Sequence, residues 1–477
     1  MTRLVGLDVG TSSVKGIAVD PDDGRVVAVS ERPLSLSTPR PGWSEQDPED
    51  WWRASEAVLD ELDAARADGI GLSGQMHGLV ALGADDRPLR PAILWNDGRT
   101  QRQCEAIEAA VGRERLVELT GNRAIAGFTA PKLLWLRDEE PETYAAIRSV
   151  LLPKDYVRLR LCGEHAIDVA DASGTLLFDV ARRAWSAEVL ETLELDPAWL
   201  PRALESPAES GRAFGEVPVA AGAGDQAGGA LGVGVVAEGG PASVVLGTSG
   251  VVFAALDAYR HDPQARVHAF CHAVPGAWHV MGVMLSAAGS LQWLRAVTGG
   301  SYDELVGAAA RWEPGAEGLL FAPYLTGERT PYPDPEARGA FAGLEVRHDR
   351  GALARAVLEG VAFGLRDALD LVAGLGERPA AGRASGGGAR SDLWLQIVAS
   401  VLDLPLELCV VDEGAALGAA LLGGVAAGAF ADAREAVTSC VQVTRTIEPR
   451  PEWVERYAEI QPAFRRVYPA LRAARGD

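Results

Sequence analysis

The sequence predicts an α/β protein of two domains built on one repeated plan. Three observations lead there. The chain has 477 residues, too many for one ordinary core and suited to two domains of roughly 200 residues each. Helical and strand patterns alternate along it, which argues for α/β layering. One short unit, strand, Gly-Thr-Ser turn, strand, occurs twice.

The first copy opens the chain. Residues 4–9 (LVGLDV) form an apolar run broken by Asp8, Gly10-Thr11-Ser12-Ser13 carries turn chemistry, and residues 14–20 resume as a strand. This pattern predicts a β-hairpin with Asp8 and the turn at one end. Residues 48–67 read as a helix and 69–73 as a strand. The second copy places a strand at Ala242–Leu246, the turn Gly247-Thr248-Ser249-Gly250, and a strand over 251–255. It follows Glu238-Gly239-Gly240-Pro241, a linker pattern, so the predicted domains are 1–237 and 238–477. Helical periodicity returns at 351–372 and 392–401. Residues 451–474 read as one amphipathic terminal helix, placed to pack back on the second domain.

Composition narrows the function. Hydrophobic residues make up 48%, enough for a globular core without disulfides. The net charge of −21 leaves no basic surface for nucleic acid; an anionic ligand must therefore be held by backbone N–H groups or a bound cation. The five cysteines are scattered and form no C-x-x-C, which disfavours disulfide frameworks and zinc clusters and suits a reducing cytoplasm. The chain begins with a strand pattern rather than a signal peptide. Residues 414–431 are uncharged and long enough for a membrane span, but their Ala and Gly content favours a tightly packed internal helix. Only Lys15, Lys132 and Lys154 occur, and none completes G-x-x-x-x-G-K-[ST], so a Walker-type loop is excluded.

Several segments could carry chemistry, each with a plainer reading beside it. The small Gly-Thr-Ser turns let a backbone approach phosphate, and two of them can hold two sides of a polyphosphate; either alone is also an ordinary hairpin turn. Lys15 could reach the same charge or be a solvated strand residue. Asp8, a carboxylate in an apolar strand, suits Mg²⁺, directly or through water, or caps the turn. In Gly222-Ala223-Gly224-Asp225-Gln226, Asp225 could accept the proton of an attacking alcohol or N-cap the following helix. Gly74-Gln75-Met76-His77-Gly78 turns sharply after a strand and could show Gln75, Met76 and His77 to a cleft, where the Gln and His can hydrogen-bond sugar hydroxyls, although a lone His is often structural. Trp95-Asn96-Asp97, with Trp43 and Glu45, suits a carbohydrate face or core packing. Gly386-Gly387-Gly388-Ala389-Arg390-Ser391 precedes a helix and could favour a nucleotide or be a flexible loop.

Taken together, the two GTS hairpins, the GDQ segment and the late Gly-Gly-Gly-Ala segment resemble the FGGY carbohydrate kinases. Residues 127–136 (GFTAPKLLWL) look like one family signature, and 339–344 (GAFAGL) through 354–359 (ARAVLE) like the other. The resemblance spans essentially the whole chain. It implies two actin-like, ribonuclease H-like ATPase domains with a catalytic cleft between them, and ATP with Mg²⁺ as cofactors. It makes Asp225 the proton acceptor and puts Asp8 near metal and phosphates. Met76, His77, Gln226 and Trp95 fall to the sugar site. Thr11, Ser12, Lys15, Gly247 and Thr248 fall to the phosphates, and Gln292, Gly387, Gly388 and Ser391 to the adenosine pocket. Within the family, GQMHG is most like the members that act on D-xylulose. So are residues 42–48 (GWSEQDP), 90–99 (RPAILWNDGR), 152–156 (LPKDY) and 171–175 (DASGT). Gln226 stands where many of those members carry Asn. The implied partners are a small sugar and ATP, with no nucleic acid or membrane, and a homodimer is compatible with them. Alternatives are a kinase for glycerol, ribulose or gluconate, and an actin-like ATPase that binds protein.

Overall fold

A computed structural model describes residues 3–411 and 414–476. Two seven-stranded sheets organise it. The first is built from β1 (Leu4–Val9), β2 (Ser13–Val19), β3 (Val26–Pro33), β4 (Gly69–Gly74), β5 (Glu209–Ala213), β6 (Val217–Ala220) and β7 (Ala223–Gly224). Its order is β5-β6-β4-β1-β2-β3, with β7 also on β4. The second contains β8 (Ala242–Leu246), β9 (Gly250–Leu256), β10 (His268–Cys271), β11 (Trp278–Met284), β12 (Gly382–Ser385), β13 (Leu406–Cys409) and β14 (Val443–Ile447). Its order is β10-β11-β9-β8-β12-β13-β14.

The two sheets share one topology. β1 pairs antiparallel with β2 and parallel with β4. β8 likewise pairs antiparallel with β9 and parallel with β12. A second parallel strand and an antiparallel edge follow in both, β6 then β5, and β13 then β14. Each Gly-Thr-Ser turn thus sits at the tip of a central hairpin, beside the carboxyl end of a parallel neighbour. In open α/β sheets that is where ligands bind.

Eight helices matter for the site and its support: α1 (Pro48–Glu61), α2 (Thr129–Glu139), α3 (Pro153–Cys162), α4 (Asp225–Gly232), α5 (Ala288–Thr298), α6 (Arg350–Ala373), α7 (Asp392–Leu402) and α8 (Gly414–Ala426). α1 starts as its sequence demands, with Asp47 accepting from the Glu49 N–H at 3.0 Å and Pro48 at the first helical position. It is shorter than predicted from sequence. It stops at Glu61, and Asp63 then enters the left-handed region at φ 51° ahead of a separate 3₁₀ turn, Ala64–Arg66. The expected terminal helix is also two: α9 (Pro451–Arg465) and α10 (Val467–Arg475). Between them the Arg466 N–H bonds to Ala463 O, three residues back rather than four. Tyr457 of α9 lies on α6, where Arg355, Glu359 and the Tyr457 hydroxyl hydrogen-bond one another at 2.6–2.8 Å.

The uncharged Ala/Gly stretch is α8, a packed internal helix. No described helix is long and apolar enough to cross a membrane. α8 crosses the first sheet, with Leu417, Ala420 and Leu421 in one core with Leu4, Ile17 and Leu231. Glycines set the approach. A Cβ on Gly6 would lie 1.9 Å from Ala416 O, one on Gly71 1.8 Å from Ala419 O, and one on Gly418 1.9 Å from Gly228 O. α8 therefore rests directly on β1, β4 and α4.

Candidate active site

β1 alternates faces. Gly6 faces α8, so Asp8, two residues on, shares that face at the strand's carboxyl end. Its neighbours in register are Lys15 on β2 and Ser73 on β4. Ser73 looks toward α4, since a Cβ on Gly228 would lie 2.9 Å from Ser73 Oγ. Asp8, Lys15 and the helix carrying Asp225 therefore converge on one end of one face.

The first turn is clamped by side chains that the sequence did not assign to it, Gln75 and Trp95 having been expected at the sugar and Gln46 nowhere. Thr11 Oγ1 donates to Gln75 Oε1 and accepts from Trp95 Nε1, both at 3.0 Å. Gln46 Nε2 donates to Thr11 O at 2.8 Å, and Gln75 Nε2 donates to Gln46 Oε1 at 3.0 Å. The Thr11 hydroxyl proton is thus committed to Gln75. Among the described residues, the N–H groups of Thr11 and Ser12 have no partner in the chain, so backbone N–H rather than the Thr11 hydroxyl is what the turn offers an anion. The second turn is held differently. The N–H groups of Ala287 and Ala288, at the start of α5, donate to Thr248 O and Gly247 O at 2.8 Å.

Met76, His77, Trp95, Asp225 and Gln226 line one cavity of about 200 Å³, joined by Phe128, Met281 and Arg329. Four of the five come from the first sheet and its loops, and Met281 and Arg329 come from the second half. Asp225 is the first residue of α4, whose N-cap is Gly224. This corrects the N-cap reading: the N-cap is Gly224, and the carboxylate's neighbour is Gln226, through its Nε2 at 3.4 Å and its backbone N–H. Burial raises its pKa to about 6, against the lowering effect of the Gln226 hydrogen bonds.

His77 has φ 69° and is fixed from behind. Its Nδ1 lies 2.7 Å from Gly174 O. A carbonyl only accepts, so Nδ1 carries the proton and Nε2 is left as an acceptor. Burial, then the nearby Lys132 charge, hold the imidazole well below its usual pKa, so it stays neutral. Lys132 donates to His77 O at 2.8 Å and to Gly127 O at 2.7 Å, and Thr129 Oγ1 adds a bond to His77 O at 3.1 Å. The first signature, running into α2, thus braces the GQMHG turn.

Two further segments meet behind that turn. Lys154 Nζ on α3 sits among Asp155, Asp168 and Asp171 at 2.7, 2.6 and 2.9 Å, all four fully buried. These carboxylates lie close enough to one another to hold a metal ion, and the lysine ammonium serves them. Burial opposes the Lys154 charge, yet the three carboxylates outweigh it and raise the pKa. Asp171 lies under Gly224, where an added Cβ would meet its Oδ1 at 3.3 Å.

Trp43 and Glu45 do not line the small cavity. Arg99 pairs with Asp97 at 2.7 Å and with Glu45 at 2.8 Å, and its guanidinium lies 3.5 Å from the centre of the Trp43 ring. This buried assembly supports the loop that carries Trp95.

Gly247, Thr248, Gln292, Gly387, Gly388 and Ser391 line a second cavity of about 770 Å³, a volume suited to a nucleoside. The Gly-rich segment is ordered: Gly387–Arg390 form a 3₁₀ turn, and Ser391 caps α7 by accepting from Trp394 N at 3.3 Å. Gly386, at φ 88°, passes so close to the second turn that a Cβ there would lie 2.9 Å from Leu246 O. A third cavity of about 360 Å³ is lined by Asp225, Gln226, Gly386, Gly387, Arg390 and Ala415 among others. It shares Asp225 and Gln226 with the first cavity and Gly387 and Arg390 with the second. The three lie in series, with Asp225 where the small cavity opens toward the large one.

Comparison with known proteins agrees with this geometry. The N-terminal domain of the FGGY family of carbohydrate kinases matches residues 3–232, and the C-terminal domain of that family matches 242–427. A xylulose kinase of Escherichia coli (strain K12) is 44% identical, over 98% of this chain and 99% of its own length. A solved kinase structure from Brucella ovis, titled "xyloylose kinase", is 43% identical with a TM-score of 0.93, covering 99% of this chain and 100% of its own. A gluconate kinase structure from Lactobacillus acidophilus is 26% identical with a TM-score of 0.94, covering 100% and 99%.

Proposed function

Because the chain belongs to the FGGY family of carbohydrate kinases, we propose that it transfers the γ-phosphoryl group of ATP to the terminal hydroxyl of D-xylulose, giving D-xylulose 5-phosphate and ADP. The xylulose kinases it resembles over nearly their full length support the acceptor. The observation that carries the mechanism is the position of Asp225, between a small cavity and the passage to a nucleoside-sized one.

In this reading the adenosine lies against Gln292, Gly387, Gly388 and Ser391, and the phosphates run between the turns at Thr11-Ser12 and Gly247-Thr248. Lys15 lies beside them. The sugar sits on Met76, His77, Trp95 and Gln226. Asp225 takes the proton of the C5 hydroxyl as its oxygen bonds to the γ-phosphorus, and the bond to the bridging oxygen of ADP breaks. A base with a pKa near 6 is ionised at neutral pH and still strong enough to accept a proton. Mg²⁺ fits the donor set around Asp8, a carboxylate at a strand end beside a phosphate-sized turn, directly or through water. When bound, the ion supplies neutralisation of phosphate charge. The division between the halves is placed at 237/238, with α8 as a segment of the second half that rests on the first sheet. The protein works in the cytoplasm.

Asp225→Ala tests the role of the base. Turnover should fall on the order of 10²- to 10⁴-fold, while ATP binding measured by calorimetry stays within about threefold. Near-normal turnover removes Asp225 from the role.

A further inference from the structure

Arg329 enters the sugar cavity from the second half of the chain. It lies in a loop pinned to the end of β11: Glu328 Oε1 accepts from the N–H groups of Leu285 and Arg329 at 3.0 and 2.8 Å. Thr330 N donates to Val283 O at 3.0 Å, and Val283 N donates to Thr330 Oγ1 at 3.0 Å. The backbone on both sides of Arg329 is thus fixed, and the side chain projects from a rigid loop.

Among the described residues, no carboxylate pairs with the Arg329 guanidinium, although the adjacent Glu328 favours its charge. Burial pushes the Glu328 carboxyl up to about 8. A guanidinium carries only donors, so this half-buried one without a carboxylate is open to an acceptor brought by a ligand. Its place in the cavity is the His77 end. The Arg329 charge opposes protonation of both His77 and His268. Asp225, by contrast, answers to burial and to Gln226. The walls between are mostly apolar, with Phe128, Val251, Met281 and Val283, and the Ser249 hydroxyl is the polar group among them. The end of the acceptor away from Asp225 therefore meets a donor, Arg329, and one acceptor, His77 Nε2.

We propose that Arg329 is a specificity-determining residue that donates to the ketone oxygen of the sugar, while His77 Nε2 accepts from an adjacent hydroxyl, so that the site selects a 2-ketose over the corresponding alditol. This rests on the assignment above of the chain as a D-xylulose kinase. An alditol carries one more hydroxyl hydrogen at the carbonyl position, and the guanidinium that faces this position is a pure donor and offers it no acceptor. A buried polar group left unpaired is what makes such a site selective.

The test is kcat and KM for D-xylulose, xylitol and gluconate in the wild-type enzyme, Arg329→Met and Arg329→Lys, with ADP binding measured in each. The wild type should prefer D-xylulose to xylitol by at least about tenfold. Arg329→Met should lose roughly 10- to 100-fold in kcat/KM for D-xylulose, mainly through KM. Xylitol should change little, so the ratio collapses, and Arg329→Lys should recover part of it. ADP affinity should stay within about threefold in both variants. An unchanged ketose-to-alditol ratio in Arg329→Met overturns the proposal. So does an equal fall in kcat for every acceptor, which would place Arg329 at the phosphoryl end, and so does a wild-type preference for gluconate. A wild type that phosphorylates no member of the panel sinks the kinase assignment itself and this inference with it, whereas a retained ratio sinks this inference alone.

Discussion

In the proposed role of base, Asp225 draws its strength from dry surroundings. The rise from the ordinary 3.8 to about 6 comes from burial, which the Gln226 hydrogen bonds only reduce. Catalysis needs the ionised form, so kcat should be level above pH 7 and fall about tenfold per unit below pH 6. A profile of kcat against pH with saturating substrates checks this. The stability effect runs the other way. A carboxyl whose folded pKa is raised is favoured in its protonated form, so its contribution falls as pH rises from about 4 to 6. At pH 7 the full penalty is present, at most ~3 kcal/mol for a rise of this size. Asp225→Asn should therefore be inactive yet more stable at pH 7 by about 1–3 kcal/mol in denaturant unfolding, with the gain vanishing near pH 4. Asp225, Met76, His77 and Gln226 were legible in the sequence because glycines flank them and their chemistry is uncommon at such turns. Gln75 was legible only as a sugar-binding amide of the same turn, whereas it bonds Thr11 and Gln46; Gln46 and Arg329 were not marked. Their roles depend on contacts with Thr11 or on a cavity shared with a distant strand, and no local pattern marks either. Trp43 and Glu45 misled for a related reason: an aromatic and a carboxylate suit a sugar or a buried arginine equally well, and Arg99 takes them.

At the scale of elements, both central hairpins, α6 and α7 follow directly from local pattern, since turn chemistry and apolar period agree there. The terminal helix was read as one because its amphipathic pattern runs through Arg466, where the helix is interrupted. The lysine and aspartates of residues 152–156 and 166–175 are visible in sequence as separate runs. That they form one buried ion cluster behind the GQMHG turn is a tertiary fact. α8 makes the sharpest prediction here. Its glycines and those of β1 and β4 allow backbone contact, and Gly418 has no positive-φ requirement, so only space is at issue. Gly418→Ala would place a Cβ 1.9 Å from Gly228 O, a clash with backbone rather than with a movable side chain. It should cost about 1–3 kcal/mol in urea unfolding and displace α4, lowering activity more than stability alone explains. Gly428→Ala, where an added Cβ meets nothing but φ is 75°, should disturb stability without that loss of activity.

At the scale of the whole molecule, duplication explains why the site lies where it does. Each sheet offers one Gly-Thr-Ser turn at the tip of its central hairpin, and the proposed phosphate path runs between the two. The repeated hairpin was visible in sequence; the strand order was not, because β4 and β12 reach their partners only after crossovers of more than 40 residues in the first half and 100 in the second. The three cavities in series divide between the halves: most of the lining of the small one comes from the first, and the lining of the nucleoside-sized one from the second. The central claim is that this path ends on a ketopentose. Its most direct test is a coupled ADP assay of the purified protein with D-xylulose, D-ribulose, glycerol, gluconate and no acceptor. D-xylulose should give the highest kcat/KM, by at least about tenfold, with little ADP formed when no sugar is added. A higher value for any of the other three, or ADP release that ignores the sugar, would contradict the account.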